Sequence, residues 1–398
     1  MKKTGQICRD ALEALLQSKV EDVANDPAFY WGGGFKGFMV DDKGKPVVRG
    51  AIVTFSPDVD MWEGLRHPSG VGLYPLTPAD IWRHGAVANV ECMKPDGSPN
   101  PLAMPEPYEE ALSRINRVVV ISTMLMVNPE IFSTYAQKMD EGDEAPYDHY
   151  QKVTDRLWDL NDRATSNAAL SLYSRGQVVV PMTRKVTSAV TKGTRGAYYT
   201  GRFNGPCNGF WPQHSVAALT GVARFGVNRL AFRDEVTEDG ERLRLYGRFG
   251  SIVLFDEHEP VDDPEKGIKK LDSERLASIR TINDYRNCDE EALSGRYCTY
   301  NLRKKDGTSV CGRCIDACPT GALPNSSVLP DGTYREEHLK KQHRFSEGVL
   351  DFDAVPCSRY HHQRTEVWED FTCGRCEVIC AARGVRKSAK ELGRINSN

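Results

Sequence analysis

The stretches CGRCIDACPTGA (311–322) and CGRCEVIC (373–380) repeat one cysteine pattern, C-x2-C-x3-C, in the last quarter of the chain. One further cysteine precedes each stretch, at spacings of x12 and x15, so that eight of the twelve cysteines fall into two matching arrays. The arrays are Cys298, Cys311, Cys314 and Cys318, and then Cys357, Cys373, Cys376 and Cys380. This arrangement is an internal repeat of metal-ligating residues.

The spacing within each array is typical of a [4Fe–4S] cluster. Such a cluster needs four thiolates from different directions, and C-x2-C supplies two of them from one tight loop. The cysteine three residues further on begins a helix and points the other way, and in two-cluster ferredoxins the cysteine before proline ligates the opposite cluster. This crossing rule predicts one cluster on Cys298, Cys311, Cys314 and Cys380, and a second on Cys357, Cys373, Cys376 and Cys318.

One ligand position leaves an alternative open. Thr308 stands three residues before Cys311, where the common ferredoxin pattern has cysteine, so a more distant cysteine must complete that set. Cys298 is favoured because its spacing resembles that of Cys357, and Cys288 is the substitute. A zinc site with four cysteine ligands also uses paired C-x2-C motifs. The ending CPTGA resembles ferredoxins more than zinc ribbons.

Composition limits the class of protein. With 398 residues, 40% of them hydrophobic and 27% charged, the chain can bury a large core in two or three domains. A net charge of -3 gives no electrostatic case for nucleic acid as the main partner. No apolar stretch approaches the ~20 residues of a membrane span. The N-terminal sequence has no apolar export segment, so we expect a cytoplasmic protein without membrane attachment.

The middle of the chain has the pattern of an α/β domain. The β-branched run at 117–127 predicts a buried strand. Apolar residues recur at helical spacing through 147–174, and GQVVVP (176–181) predicts a second strand. A strand, a long helix and a strand in this order indicate a βαβ crossover.

The sequence also suggests three domains. Residues 1–110 are rich in glycine and proline and predict an irregular N-terminal cap with short strands. Residues 111–283 form the α/β domain, in which 243–260 predicts a strand and 264–280 a charged helix. Residues 284–398 form the cluster domain. The irregular stretch 184–212 lies inside the α/β domain, and long loops of that kind are usually functional.

A glycine turn follows the helical stretch that begins at His214. Gly221 and Gly226 are five residues apart, Asn228 stands behind them, and Gly250 and Ser251 lie in the following strand. Together with the two arrays, this order resembles the cobalamin-dependent iron–sulfur reductases, a family of reductive dehalogenases and epoxyqueuosine reductases. The resemblance covers about residues 115–385.

The resemblance implies a fold, cofactors and partners. The fold would be α/β (α+β), a nitroreductase-like corrinoid-binding domain followed by a ferredoxin-like domain with two [4Fe–4S] clusters. Base-off cobalamin would be the second cofactor, and a ferredoxin or flavodoxin the external low-potential electron donor. The residues that would bind the corrinoid are Gly221, Gly226, Asn228, Gly250 and Ser251. Whether residues 1–110 close the site or form a homodimer stays open.

The family uses a proton donor beside the metal. Where epoxyqueuosine reductases would have their catalytic aspartate, this chain has Cys207-Asn208, which disfavours a tRNA substrate. Tyr198 and Tyr199 resemble the tyrosine of the dehalogenases, which works beside a cation. The cationic candidates are Arg202 and Lys192, and the next proton donors in line are His214 and Cys207.

The resemblance therefore favours reductive cleavage of a carbon–halogen bond in an organohalide. An epoxyqueuosine-reductase-like enzyme is one alternative. A flavin-binding or cofactor-free electron-transfer protein, whose cluster domain serves a partner, is the other.

Overall fold

The computed structural model describes residues 8–26, 35, 37–57, 79, 81–82, 107–142, 146–172, 178–183, 213–226, 228, 230–236, 242–272, 306, 308, 310–319 and 374–383. The first elements in chain order are α1 (Arg9–Asn25), β1 (Val48–Phe55), α2 (Tyr108–Ala111), β2 (Arg117–Met126), α3 (Pro129–Asp140), α4 (Pro146–Leu172) and β3 (Val178–Pro181). They are followed by α5 (Gln213–Thr220), β4 (Arg224–Phe225), β5 (Ala231–Val236), β6 (Arg242–Asp256), β7 (Ile268–Lys270), α6 (Arg313–Asp316) and α7 (Arg375–Arg383). The content is mixed α and β, as expected of an α+β protein.

The strands form one mixed sheet. Its hydrogen-bonded order is β4-β5-β6-β2-β1-β7, and β3 also pairs with β6. All ten residues of β2 are buried, because this β-branched strand lies between β1 and β6. The prediction of a buried strand at 117–127 is confirmed.

The predicted order of strand, long helix and strand is also confirmed, with one difference in pairing. Residues 252–255 of β6 pair antiparallel with β2 on one side and with β3 on the other. The strands β2 and β3 are therefore parallel to each other, but β6 lies between them. The crossover through α4 skips a strand that is added later in the chain, as in a split βαβ unit.

Side chains of β6 alternate between two helical layers, because successive residues of a strand point to opposite faces of the sheet. The even-numbered Tyr246, Ile252 and Leu254 share a core with α1, α4 and α7. The odd-numbered Val253 and Phe255 share another core with α5. We call the even-numbered side the α4 face of β6.

The helix α4 lies across this face. Leu157, Leu160, Ala164 and Ala168 are almost completely buried, at the helical spacing that the sequence predicts. The preceding helix α3 has Asn128 as its N-cap residue. The Asn128 Oδ1 atom accepts a hydrogen bond from the backbone N–H of Glu130 at 3.1 Å. This side-chain cap satisfies one of the unpaired donors of the first turn.

The N-terminal residues differ from the expected irregular cap. The 17-residue helix α1 buries Leu12 and Leu16 in the same core as α4, and β1 pairs with β2 along its whole length. Gly50 of β1 explains part of the misleading sequence pattern, since a Cβ there would lie 3.1 Å from Leu12 Cδ2. This glycine allows close packing of α1 on the sheet.

The expected charged helix at 264–280 is wrong over the residues that the structure describes. Pro264–Lys266 forms one 3-10 turn, which ends at Gly267 with φ of 67° in the left-handed region. Glycine adopts this conformation without steric cost. The chain then forms β7, which pairs in parallel with β1. No described helix is long and apolar enough to cross a membrane.

Candidate functional site

Two short helices carry the described cysteines of the arrays. Cys314 lies in α6, with Cys311 and Cys318 on either side of that helix. Cys376 and Cys380 lie in α7, and residues four apart share one face of a helix. The helices α6 and α7 contact each other. The two arrays thus meet, as an exchange of ligands between them requires.

The helix α7 begins at a glycine that has no room for a side chain. Gly374 has φ of 65°, and a Cβ there would collide with the ring of Tyr150 in α4. The glycine of the second CGRC motif therefore serves close packing as well as the turn. Gly312, its counterpart in the first motif, has extended backbone with φ of -161°.

A buried network fastens α7 to the sheet. The hydroxyl of Tyr150 donates to Glu377 Oε2 at 2.5 Å, and Arg248 Nη1 donates to Glu377 Oε1 at 3.0 Å. Burial raises the pKa of Tyr150 well above its ordinary value, and the Glu377 carboxylate raises it further. Burial opposes the charge of Arg248, but the net pKa is raised because Glu377 stabilises the guanidinium. Glu377 is therefore held by a charged partner and a neutral one.

Arg244 reaches a predicted cluster ligand. Its Nη1 donates to Cys380 Sγ at 3.7 Å, while Nε and Nη2 each donate to the Asp234 carboxylate at 2.8 Å. The side chains of Arg244 and Asp234 are 1% and 5% exposed. The guanidinium carbon also lies 4.0 Å from the ring centroid of Phe232. Arg244 is thus held in one orientation, with Nη1 directed at Cys380 Sγ.

Tyr246 and Asn228 complete the contacts around α7. Asn228 Nδ2 donates to the Tyr246 hydroxyl oxygen at 3.2 Å and lies 3.4 Å from the backbone carbonyl of Cys376. The Tyr246 hydroxyl lies beside the side chain of Cys380. Burial raises the pKa of Tyr246 well above its ordinary value, and the sulfur of Cys380 adds to that rise. Tyr246 is therefore a neutral neighbour of that sulfur.

This donor set fits a ligated thiolate. Iron–sulfur sulfurs accept hydrogen bonds from their surroundings, and these bonds tune the cluster. Among the described residues no three Cys, His, Asp or Glu side chains converge as ligands of one ion. In a [4Fe–4S] cluster each thiolate binds a different iron. The four cysteines therefore lie further apart than the ligands of a single metal ion.

The five residues assigned to the corrinoid by resemblance have separate surroundings. Gly221 ends α5 with φ of 82°, the position of a helix C′ glycine. A Cβ on Gly226 would lie 2.5 Å from Asn228 Oδ1, and Asn228 contacts α7. Gly250 faces α4, while Ser251 faces the α5 side and hydrogen-bonds Gln213. Within the described part of the chain these five residues therefore have separate contacts, and their binding of a corrinoid stays a prediction.

Gly250 is surrounded by buried polar atoms without partners. A Cβ there would collide with Thr165 Oγ1 and would lie 2.9 Å from Thr123 Oγ1 and 3.0 Å from Asn161 Nδ2. None of these three atoms has a hydrogen-bond partner among the residues that the structure describes. We call Thr123, Asn161, Thr165 and Gly250 the polar niche.

Several predicted site residues lie outside the described residues. They are Lys192, Tyr198, Tyr199, Arg202, Cys207, Cys288, Cys298, Cys357 and Cys373. His214 is described, in the first turn of α5, where its ring lies 5.1 Å from that of Phe249.

Two clefts open at the C-terminal end of α1. Their volumes are about 520 and 400 Å³, and the smaller one is lined by residues of α1 and α4 together with Thr183. Asp26 and Asn167 border both clefts. No cysteine of the arrays and no residue of the polar niche is among their described lining residues.

Sequence reasoning missed the residues that bind α7. Arg244 and Arg248 stand four apart within the predicted strand at 243–260, and Glu377 interrupts the apolar part of CGRCEVIC. Buried charges at such positions need partners of opposite charge. This requirement could have predicted that the arginines of the strand pair with the glutamate of the helix. Comparisons with protein-family models, curated proteins and solved structures find no match.

Proposed function

We propose that the chain is an iron–sulfur reductase, most simply a reductive dehalogenase, that passes single electrons through two [4Fe–4S] clusters to cobalamin and cleaves a carbon–halogen bond of an organohalide. The observation that carries the electron-transfer part is the packing of α7, with the buried Cys380 and the half-buried Cys376, against β6. The cobalamin and the substrate class come from the sequence resemblance.

The contacts of α7 support fixed rather than transient docking. Two arginines of one strand, Arg244 and Arg248, pair with buried carboxylates and reach Cys380 and Glu377. Breaking a buried pair by removing one partner costs about 3–5 kcal/mol. A cluster held in this way keeps a constant distance to the body, which suits repeated one-electron transfer.

In the proposed reaction the cofactor and the protein have different tasks. When bound, cobalamin supplies a low-potential one-electron couple. The chain ligates the clusters through its cysteines, and the proton of the reduction comes from Tyr198 or Tyr199 beside Lys192 and Arg202. An external ferredoxin or flavodoxin supplies the electrons, and the protein works in the cytoplasm.

Metal and cofactor content test the proposal. Anaerobically reconstituted protein should contain about eight irons per chain, two clusters' worth, and Cys318→Ala should lower this content. Cys8→Ala is the control, because Cys8 lies outside the arrays, next to α1. Zinc in place of iron, or iron near half that level in the unaltered protein, would contradict the cluster assignment.

The visible spectrum after addition of hydroxocobalamin tests the second cofactor. Retention of corrinoid absorption through gel filtration is expected, whereas a flavin spectrum would favour the electron-transfer alternative. A screen of halogenated aromatics beside epoxyqueuosine-containing tRNA then tests the substrate class. Dehalogenation with no turnover of the tRNA is the expected result.

A further inference from the structure

We propose that Arg244 and Tyr246 raise the reduction potential of the cluster ligated by Cys380. This inference rests on the proposed clusters and adds a task for two residues of β6. It concerns the equilibrium in which an oxidised [4Fe–4S]²⁺ cluster takes one electron from a low-potential donor and becomes [4Fe–4S]⁺. No bond is formed or broken in this step.

The first support is the position of Arg244. Its Nη1 lies 3.7 Å from Cys380 Sγ, and its other donors are occupied by the buried Asp234. Phe232 stacks under the guanidinium at 4.0 Å from the ring centroid. A buried cation that Asp234 and Phe232 hold in place keeps its charge beside the sulfur whatever the redox state of the cluster.

The second support is a chain of donors that ends at the same sulfur. Asn228 Nδ2 donates to the Tyr246 hydroxyl oxygen at 3.2 Å, and we assign the hydroxyl proton of Tyr246 to the neighbouring sulfur of Cys380. Successive hydrogen bonds polarise one another in a low-dielectric interior. Cys380 therefore receives a charged donor and a neutral donor from the same strand.

Both donors act in the same direction. Reduction adds one negative charge to the cluster, and a hydrogen bond or a nearby cation stabilises the more negative state. The reduced form is therefore favoured, and the potential rises. By the crossing rule the affected cluster is the one that also takes Cys298, Cys311 and Cys314.

Stepwise reduction followed by electron paramagnetic resonance tests the inference on the full-length reconstituted protein. Tyr246→Phe removes one hydroxyl and keeps the ring. A double variant, Arg244→Met with Asp234→Asn, removes the cation without leaving an unpaired carboxylate. We expect the potential of one cluster to fall in both variants, in the double variant by a tenfold change in the reduction equilibrium, which corresponds to about 59 mV.

Two further variants make the result specific. Cys380→Ser identifies which resonance signal belongs to the cluster in question, and the same signal must shift in the Tyr246 and Arg244 variants. Arg248→Met with Glu377→Gln is the matched control, because it removes another buried strand-to-helix pair without a cysteine in the pair. The potential of the cluster ligated by Cys380 should stay at the value of the unaltered protein in this control.

The possible outcomes separate this inference from the cluster assignment. Unchanged potentials in Tyr246→Phe, with about eight irons retained, would overturn the role of these residues and leave the clusters standing. An equal shift in the Arg248 control would also overturn it. Absence of iron from the unaltered protein would remove both proposals. If the double variant loses iron, the Tyr246→Phe result decides.

Discussion

Two neighbouring parts of the α4 face of β6 differ in how well their buried polar groups are paired. Towards its N-terminal end, Arg244, Tyr246 and Arg248 each have at least one partner, and several of these partners belong to α7, although Arg248 Nε has none in the described structure. About two residues further on, roughly 7 Å along the strand, Gly250 is surrounded by buried polar atoms that lack partners in the described structure. The change occurs within one strand and one face.

This difference indicates which part of the body is complete. Buried polar groups are costly when unpaired, so a satisfied network shows that its partner belongs in place. The end beneath α7 meets that condition through a helix from the far end of the chain. The polar niche does not meet it through the residues that the structure describes, and its polar atoms lie this close to β6 only because residue 250 is glycine.

Removing Arg248 is expected to break the paired end most severely. Arg248→Met leaves the Glu377 carboxylate buried with only Tyr150, and the free energy of unfolding should fall by about 3–5 kcal/mol. Urea denaturation followed by circular dichroism measures the loss. Arg383→Met is the control on the same helix, because Arg383 pairs with the exposed Asp140 and should change stability much less. Equal losses in both variants would contradict the importance of burial.

Filling the polar niche from the backbone side should have a smaller effect. Gly250→Ala places a methyl group against Thr165 Oγ1, and overpacking of a buried site costs about 1–3 kcal/mol. Adding Thr165→Ala should recover part of the loss, because it removes the colliding atom. The double variant then loses less than the sum of the two single variants. Simple additivity in the same denaturation assay would show that the two positions do not meet.

The smallest expected change is the loss of the unpaired Thr165 hydroxyl. Thr165→Val should leave stability within about 0.5 kcal/mol, because no protein hydrogen bond is lost. The matched control is Thr54→Val, since the buried Thr54 hydroxyl donates to the Val261 carbonyl and accepts from its N–H at 2.8 and 3.0 Å. That change should cost about 1–3 kcal/mol. A similar loss in both variants would mean that the niche holds a bound water or ligand.

The sequence predicts the elements of the sheet and its helices correctly where a single hydrophobic pattern is clear. The β-branched run of β2 and the helical spacing of α4 are strong because those elements bury whole faces. The strand β1 is harder to predict because Gly50 interrupts its β-branched pattern. This glycine makes room for Leu12, which is 38 residues away in the chain, so the local pattern does not reveal the contact. The residues at 264–266 look helical in composition, but Gly267 ends the turn after three residues.

The candidate site is predictable in its ligands and not in its surroundings. Cysteine spacing identifies the arrays because ligand geometry is local. Arg244, Tyr246 and Glu377 act through contacts between distant segments, and their pairing requires the register of β6 against α7. The family resemblance implies that Asn228 binds the corrinoid. Its described contacts are with Tyr246 and with the backbone carbonyl of Cys376, and the sequence did not predict them.

The attachment of α7 also has a consequence for the order of folding. Arg248 and Glu377 are 129 residues apart in the chain, and Asn228 and Cys376 are 148 apart. Contacts between such distant residues form slowly, since long loops must close first. During synthesis the strand carries its two arginines before their partner helix exists. Completion of the core and assembly of the second cysteine array are therefore the same late event.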